Sequence, residues 1–417
     1  MDSSYGRIKE FIIFQQDNFR KGGEMRRLAP ALAMVILIVL LLPGCTTLGG
    51  TATPEPAKDQ IHVDTDFALM LGFVPHSFLE EHDVWFGNPG AIKKLYGLEH
   101  ISSRDKLEQL PEEERREAMG TVAAVPVPQF TGNYFQIAPL IGWDGFMIDR
   151  AVFHEVPPPW GFSVIEDNFD ETLIGGKLTE QGYEQAEYGT NNYYWKNDDM
   201  KADIRSDIGR QILAQLNRVA VLDNTIVTAP TTGIMTSILD AMTGNVTKVI
   251  DNAACRAVAD SLGDVLGAVL ITPDRVLKIT PATEIPAFDL PAAANWGKLH
   301  DYSLFGTGYK DDGKERYWVI SLYYDDKEAA EADAAELVSR LESYIFNTPL
   351  ERMENIPLTS KYEVGKPVVR EYSSGAALTV ACRYLPETTG SSSLFTLVLQ
   401  ARDLLFLAPD PTPYVAK

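Results

Sequence analysis

Residues 315–330 read Glu315-Arg316-Tyr317-Trp318-Val319-Ile320-Ser321-Leu322-Tyr323-Tyr324-Asp325-Asp326-Lys327-Glu328-Ala329-Ala330. Trp318, Ile320, Leu322 and Tyr324 alternate, which puts them on one face of a strand. At Asp325 the period changes from two to 3.6. Asp325 with Glu328 has the form of a capping box. Ala330, Ala334, Leu337, Val338, Leu341 and Ile345 then make one apolar stripe, expected to end at Asn347 and Pro349. Upstream, residues 302–309 and 315–324 flank Asp311-Asp312-Gly313, a hairpin signal. Downstream, residues 366–372 and 376–384 form a second hairpin over Ser373-Ser374-Gly375. Residues 404–407 read as a last strand. A helix beside chains that turn straight back predicts an α+β fold with mainly antiparallel sheets.

The same order, strand, helix, strand, strand, occurs earlier. Residues 162–166 are a predicted strand. Asp170 is a predicted N-cap, with Leu173, Ile174 and Leu178 on one helical face and Gly182 past the end. Residues 185–195 read as two strands. Residues 218–222 and 225–229 close around Asp223-Asn224. A helix then carries Ile234, Met235, Ile238, Leu239 and Met242, with Gly244 as its stop. Residues 255–266 read as a helix and 267–272 as a strand. The chain therefore reads as two α+β units of related architecture, preceded by a mixed, partly helical segment.

The expected boundaries follow from composition. Residues 45–60 are a Thr-, Gly- and Pro-rich tether. Residues 61–280 are an N-terminal α+β region, with a sub-boundary near 156–160 where three prolines run together. Residues 281–295 are a Pro/Ala-rich linker, and 296–417 are a C-terminal α+β domain expected to fold alone.

The 417 residues hold 37 Lys+Arg and 58 Asp+Glu, a net charge of −21. Such a chain repels phosphate backbones, which argues against a nucleic-acid partner. Only Met25 to Cys45 has membrane character. Met25-Arg26-Arg27 is a positive head, Leu28 to Leu42 are uncharged and apolar, and Pro43-Gly44-Cys45 follow. That is the pattern of a secretory signal, too short for a comfortable span. A signal starts near its own Met, so Met25 is the expected start and residues 1–44 are expected to be removed.

Leu42-Pro43-Gly44-Cys45 resembles the lipobox of bacterial lipoprotein precursors, with Pro43 where that family carries a small or β-branched residue. The resemblance covers residues 25–45 alone. It implies lipidation at Cys45 and anchoring to the outer face of the cytoplasmic membrane, in the bacterial cell envelope. Cys255 and Cys382 would then lie where a disulfide persists, and both a bridge and two buried thiols fit their apolar settings.

No catalytic constellation emerges. Ser103-x-x-Lys106 matches a penicillin-binding motif, but no Ser-Asp-Asn or Lys-Thr-Gly follows, and Ser103 reads better as an N-cap. The six histidines (62, 76, 82, 100, 154, 300) show no i, i+4 pair of a zinc helix. Asn197-Asp198-Asp199 with Asp203 and Asp207 has Lys201 at a ligand position and no following Gly, so it reads as a salt-bridged turn rather than a calcium loop. Gly306-Thr307-Gly308 lacks a third glycine and reads as a bulge. Tyr193-Tyr194-Trp195 and Tyr323-Tyr324 could stack on sugar rings, although strand aromatics are mostly packing. No catalytic, cofactor or metal residue is named. The expected function is a non-catalytic binding or interaction module, with a protein or glycan partner in the envelope. Two alternatives stand beside it: the substrate-binding lipoprotein of a transporter, and an envelope hydrolase with a carboxylate-based site.

Overall fold

The computed structural model describes residues 64–128, 132–154, 161–277, 291–346, 356–386, 399 and 403–414. The signal, the lipobox and Cys45 lie outside them, as do Asn347 and Pro349.

The chain opens with helices α1 (Asp66–Leu71) and α2 (His76–Glu81), strand β1 (Val84–Gly87), and helices α3 (Pro89–Leu95), α4 (Arg104–Glu108), α5 (Glu112–Val122) and α6 (Gly132–Ile141). Ser103 caps α4, its hydroxyl accepting from Lys106 N at 3.3 Å. Then come β2 (Arg150–Phe153), β3 (Ser163–Glu166), α7 (Glu171–Glu180), β4 (Glu184–Tyr188), β5 (Asn191–Trp195), α8 (Asp207–Ile212), β6 (Arg218–Leu222) and β7 (Thr225–Ala229). Asp223 and Asn224 between the last two strands both adopt positive φ, as a two-residue hairpin turn demands. Helices α9 (Thr232–Thr243) and α10 (Ala253–Leu262) lead into β8 (Gly267–Ile271). The C-terminal part has β9 (Leu304–Asp311), β10 (Arg316–Tyr324), α11 (Lys327–Ser343), β11 (Ile345–Phe346), β12 (Ile356–Pro357), β13 (Tyr362–Val364), β14 (Val368–Tyr372) and β15 (Gly375–Tyr384).

Thirteen of the described strands join in one sheet, ordered β13-β15-β10-β9-β8-β1-β2-β3-β7-β6-β5-β4, with β14 also on β15. Every pairing described is antiparallel, so the fold is α+β with antiparallel sheets. Helices cover both faces. On one face Trp318, Ile320, Leu322 and Tyr324 meet Leu337 and Leu341 of α11, together with residues of α6, α7 and α8. On the other, Val319 and Tyr323 of the same strand join Val258 and Leu262 of α10, with residues of α1, α2 and α9. The alternation along β10 thus splits its side chains between two cores, as the pleat requires.

Several expectations are corrected. The two α+β units share one sheet: β8 pairs with β9 from Gly267↔Tyr309 to Ile271↔Phe305, across the expected linker. The linker separates two stretches of chain without interrupting the ladder. Asp326, not Asp325, caps α11 by accepting from Glu328 N. Leu173 points outward, 49% exposed, because α7 turns Ile174 and Leu178 to the core. Residues 405–407 form a 3₁₀ turn, not a strand. No bulge interrupts β9 at Gly306 and Gly308, whose registers are regular on both sides. These glycines serve close packing: a Cβ at Gly306 would meet Val258 Cγ1 of α10 at 2.1 Å, and one at Gly308 would meet Val265 Cγ1 at 2.5 Å.

Arg340 of α11 lies in the apolar stripe yet is fully buried. Its guanidinium donates to the carbonyls of Phe406, Ala408 and Gly297, and its Nε to Glu336. One side chain therefore ties the chain before β9 and the segment near the C-terminus to α11.

Candidate functional site

The ends of β8, β9 and β10 gather with α2 and the start of α10 around a cavity of about 400 Å³. Asn252 is the N-cap of α10. Its Oδ1 accepts from Ala254 N at 2.9 Å and Cys255 N at 3.2 Å. With Oδ1 so engaged, Nδ2 is the donor to His76 Nε2 at 3.1 Å. Neutral His76 then carries its proton on Nδ1, which faces Glu80 Oε1 at 3.8 Å.

Another part of the lining is built of hydroxyls. Tyr323 OH and Ser374 Oγ share a hydrogen bond of 2.7 Å. Gly375 makes that contact possible, since a Cβ there would strike Tyr324 O at 2.2 Å and Tyr323 OH at 2.6 Å. Ser303 Oγ donates to Asp325 Oδ1 at 3.3 Å. Thr272, at the end of β8, completes the lining together with Leu79, Leu304 and Cys255. Glu80, Ser303, Asp325 and Ser374 are exposed at the rim, while Leu79 and Cys255 form a buried floor. The volume lies in the range of small-molecule sites.

Cys255 is not poised as a nucleophile there. Burial pushes its thiol up to about 12, which leaves almost no thiolate at neutral pH. Cys382 is also pushed up to about 12 by burial. Both are free thiols, and they belong to cores on opposite faces of the sheet.

Among the described residues the histidines do not gather into a metal-holding set. His82 stacks on His154 with ring centroids 3.9 Å apart. His154 Nδ1 donates to Asp83 O at 3.0 Å, and its Nε2 is buried without a partner. Burial, with His82 and Arg275 nearby, lowers His154 to about 2, so the ring stays neutral. The void beside it, about 20 Å³, suits one water rather than a ligand. His300 donates from Nδ1 to Asp333 Oδ1 at 2.7 Å, and Asp333 Oδ2 accepts from His300 N and Tyr324 OH. Asp333 raises the pKa of His300. No group of three or more His, Cys, Asp or Glu among the described residues is placed to hold a metal.

The remaining candidates are structural. Asp198 pairs with Lys201, Asp199 with Arg218 at 2.7 Å, and Asp207 with Arg210, so the acidic patch is a salt-bridged turn. Tyr323 and Tyr324 are 2% and 0% exposed, which removes them as a sugar platform. Tyr193 is buried, and Trp195 lies under the Arg218 guanidinium at 5.8 Å. The sequence reading missed Asn252, Ser303 and Ser374. An Asn before Ala253-Ala254 is a readable N-cap. The two serines carry no signal, because only the sheet brings them together.

No protein-family model matches this chain, and no curated protein matches it. Among solved structures, the structure of crystal form I of TP0453 is similar at 10% sequence identity, over 79% of this chain and 96% of that one, with a TM-score of 0.32. That likeness is too slight to carry fold or function across.

Proposed function

We propose that this chain is a lipid-anchored protein of the bacterial cell envelope that binds a small ligand in the cavity between α2, α10 and the ends of β8, β9 and β10. The cavity carries the reading: about 400 Å³ lined by an apolar floor and a few convergent polar groups, the usual anatomy of a ligand site. The anchor rests on Met25 to Cys45, where a charged head, an apolar run and the lipobox-like ending follow one another. With a net charge of −21, the chain has little other attraction to anionic lipid, so a lipid at Cys45 is the sensible tether. The substrate-binding lipoprotein of a transporter needs two parallel α/β lobes; one continuous antiparallel sheet does not supply them.

The test is a thermal-shift screen of the full chain in detergent against a panel of small metabolites, repeated on Ser374→Trp. Ser374 is exposed at the rim, so the indole fills the mouth and removes the hydrogen bond to Tyr323 OH, and native circular dichroism of the variant is the control. Stabilisation by at least one compound, lost in Ser374→Trp, is expected. Stabilisation that survives the substitution places the ligand elsewhere and overturns the reading.

A further inference from the structure

We infer that the ligand of this cavity is an organic cation, a primary or secondary amine small enough for about 400 Å³. The inference rests on the cavity reading above and concerns the charge of its occupant.

The lining is rich in oxygen and poor in cations. Glu80 on α2 and Asp325 after β10 stand on different walls, and no lysine or arginine is among the lining residues. Asp325 accepts from Ser303 at 3.3 Å, a long bond to a neutral donor that leaves most of its capacity open. Among the described residues, Glu80 faces only the Nδ1 of His76, at 3.8 Å. The hydroxyls of Tyr323 and Ser374 donate to or accept from each other, and their second lone pairs can accept from an ammonium.

Two helices begin at this cavity and would favour an anion: the six-residue α2, which opens at His76 without a side-chain cap, and α10. The cap of α10 answers the attraction there. Asn252 Oδ1 already takes Ala254 N and Cys255 N, and Asn252 Nδ2 is spent on His76. The cap thus takes up two backbone donors at the start of α10 and its own amide within the protein. Two open carboxylates, one on α2 and one after β10, suit an ammonium, held by charge-assisted hydrogen bonds. The overall net charge of −21 adds a favourable field for a cation.

The experiment is titration calorimetry of the full chain in detergent with ethanolamine, phenethylamine, putrescine and spermidine, each against its N-acetylated form. At least one amine binds, and acetylation weakens it about tenfold or more, the worth of one charge-assisted hydrogen bond. Glu80→Gln and Asp325→Asn are both at exposed positions, keep the native circular dichroism, and each weaken the amine severalfold. Amines that bind no better than their acetylated forms, or not at all, overturn the inference. Neutral forms that bind and are blocked by Ser374→Trp leave the cavity reading standing while the charge assignment falls. Amine binding untouched by Ser374→Trp removes both.

Discussion

Gly306→Ala tests how closely α10 lies on the sheet. The new methyl would sit 2.1 Å from Val258 Cγ1, 3.2 Å from Leu270 Cδ2 and 3.4 Å from Leu262 Cδ1. Ordinary carbon contacts are about 3.5–4.0 Å, so Val258 must retreat by roughly 1.5 Å. It has little room to do so. Val258 is fully buried and β-branched in mid-helix, where one χ1 rotamer dominates. Moving α10 as a body would also disturb its packing on β9, β10 and β15. The expected loss is about 1–3 kcal/mol, the range for overpacking. Val258→Ala alone loses two buried methyl groups, about 2 kcal/mol with its cavity. In the double variant the alanine methyl at 306 enters the space that the valine vacated. The double variant should therefore be more stable than the sum of the two losses allows, by about 1 kcal/mol or more. Urea unfolding of the full chain in detergent, followed by tryptophan fluorescence, gives the three differences. Losses that add to within about 0.5 kcal/mol would refute the claim that these two atoms compete for one space.

Four further outcomes are expected. Cys45→Ala should abolish incorporation of labelled fatty acid; labelling that survives removes the anchor. Arg340→Met should cost about 3 kcal/mol or more, because it strands the carbonyls of Phe406, Ala408 and Gly297, and limited proteolysis should then cut first near residue 408. His154 is lowered to about 2 in the folded chain, so its contribution to stability is present above its unfolded value near 6.5 and is lost as pH falls below it. His300 is raised, so its contribution is present below 6.5 and fades as pH rises through its folded value; urea midpoints of His154→Gln and His300→Gln across pH 5–8 should flatten opposite limbs. Residues 296–417 expressed alone should aggregate, since removing β8 and α10 bares the edge of β9 and its glycines; a soluble monomer with the circular dichroism of a folded domain would show the opposite.

What the sequence made legible was local. The hairpin over Asp311-Asp312-Gly313, the turn at Asp223-Asn224, the stop at Gly244 and the face of β10 each depend on a few neighbouring residues, and each stands as read. Sheet continuity was not legible, because β8 and β9 are joined through the proline-rich stretch 281–295 and nothing in their composition declares them neighbours. Gly306 was misjudged for a related reason: a glycine in a strand signals missing volume, but not whether a bulge or a helix takes it up. The buried Arg340 and Asp333 interrupt the apolar stripe of α11, and only their distant partners explain them. Of the cavity, Asn252 was within reach as a cap. Ser303 lies beside Tyr323 at the open end of the hairpin that was legible, whereas Ser374 joins them through the pairing of β10 with β15, which nothing along the chain declares.

The central position of β1 has a consequence for the time order of synthesis. Its two neighbours are β2, which follows it after a helical stretch, and β8. About 180 residues lie between β1 and β8, which at roughly 5–20 residues per second is some 10–40 s of synthesis. Throughout that interval Val84, Trp85 and Phe86 have at least one open flank, and two until β2 has been made. The nascent chain is thus stickiest in its middle age, and a holding chaperone would have most to do before Gly267 arrives.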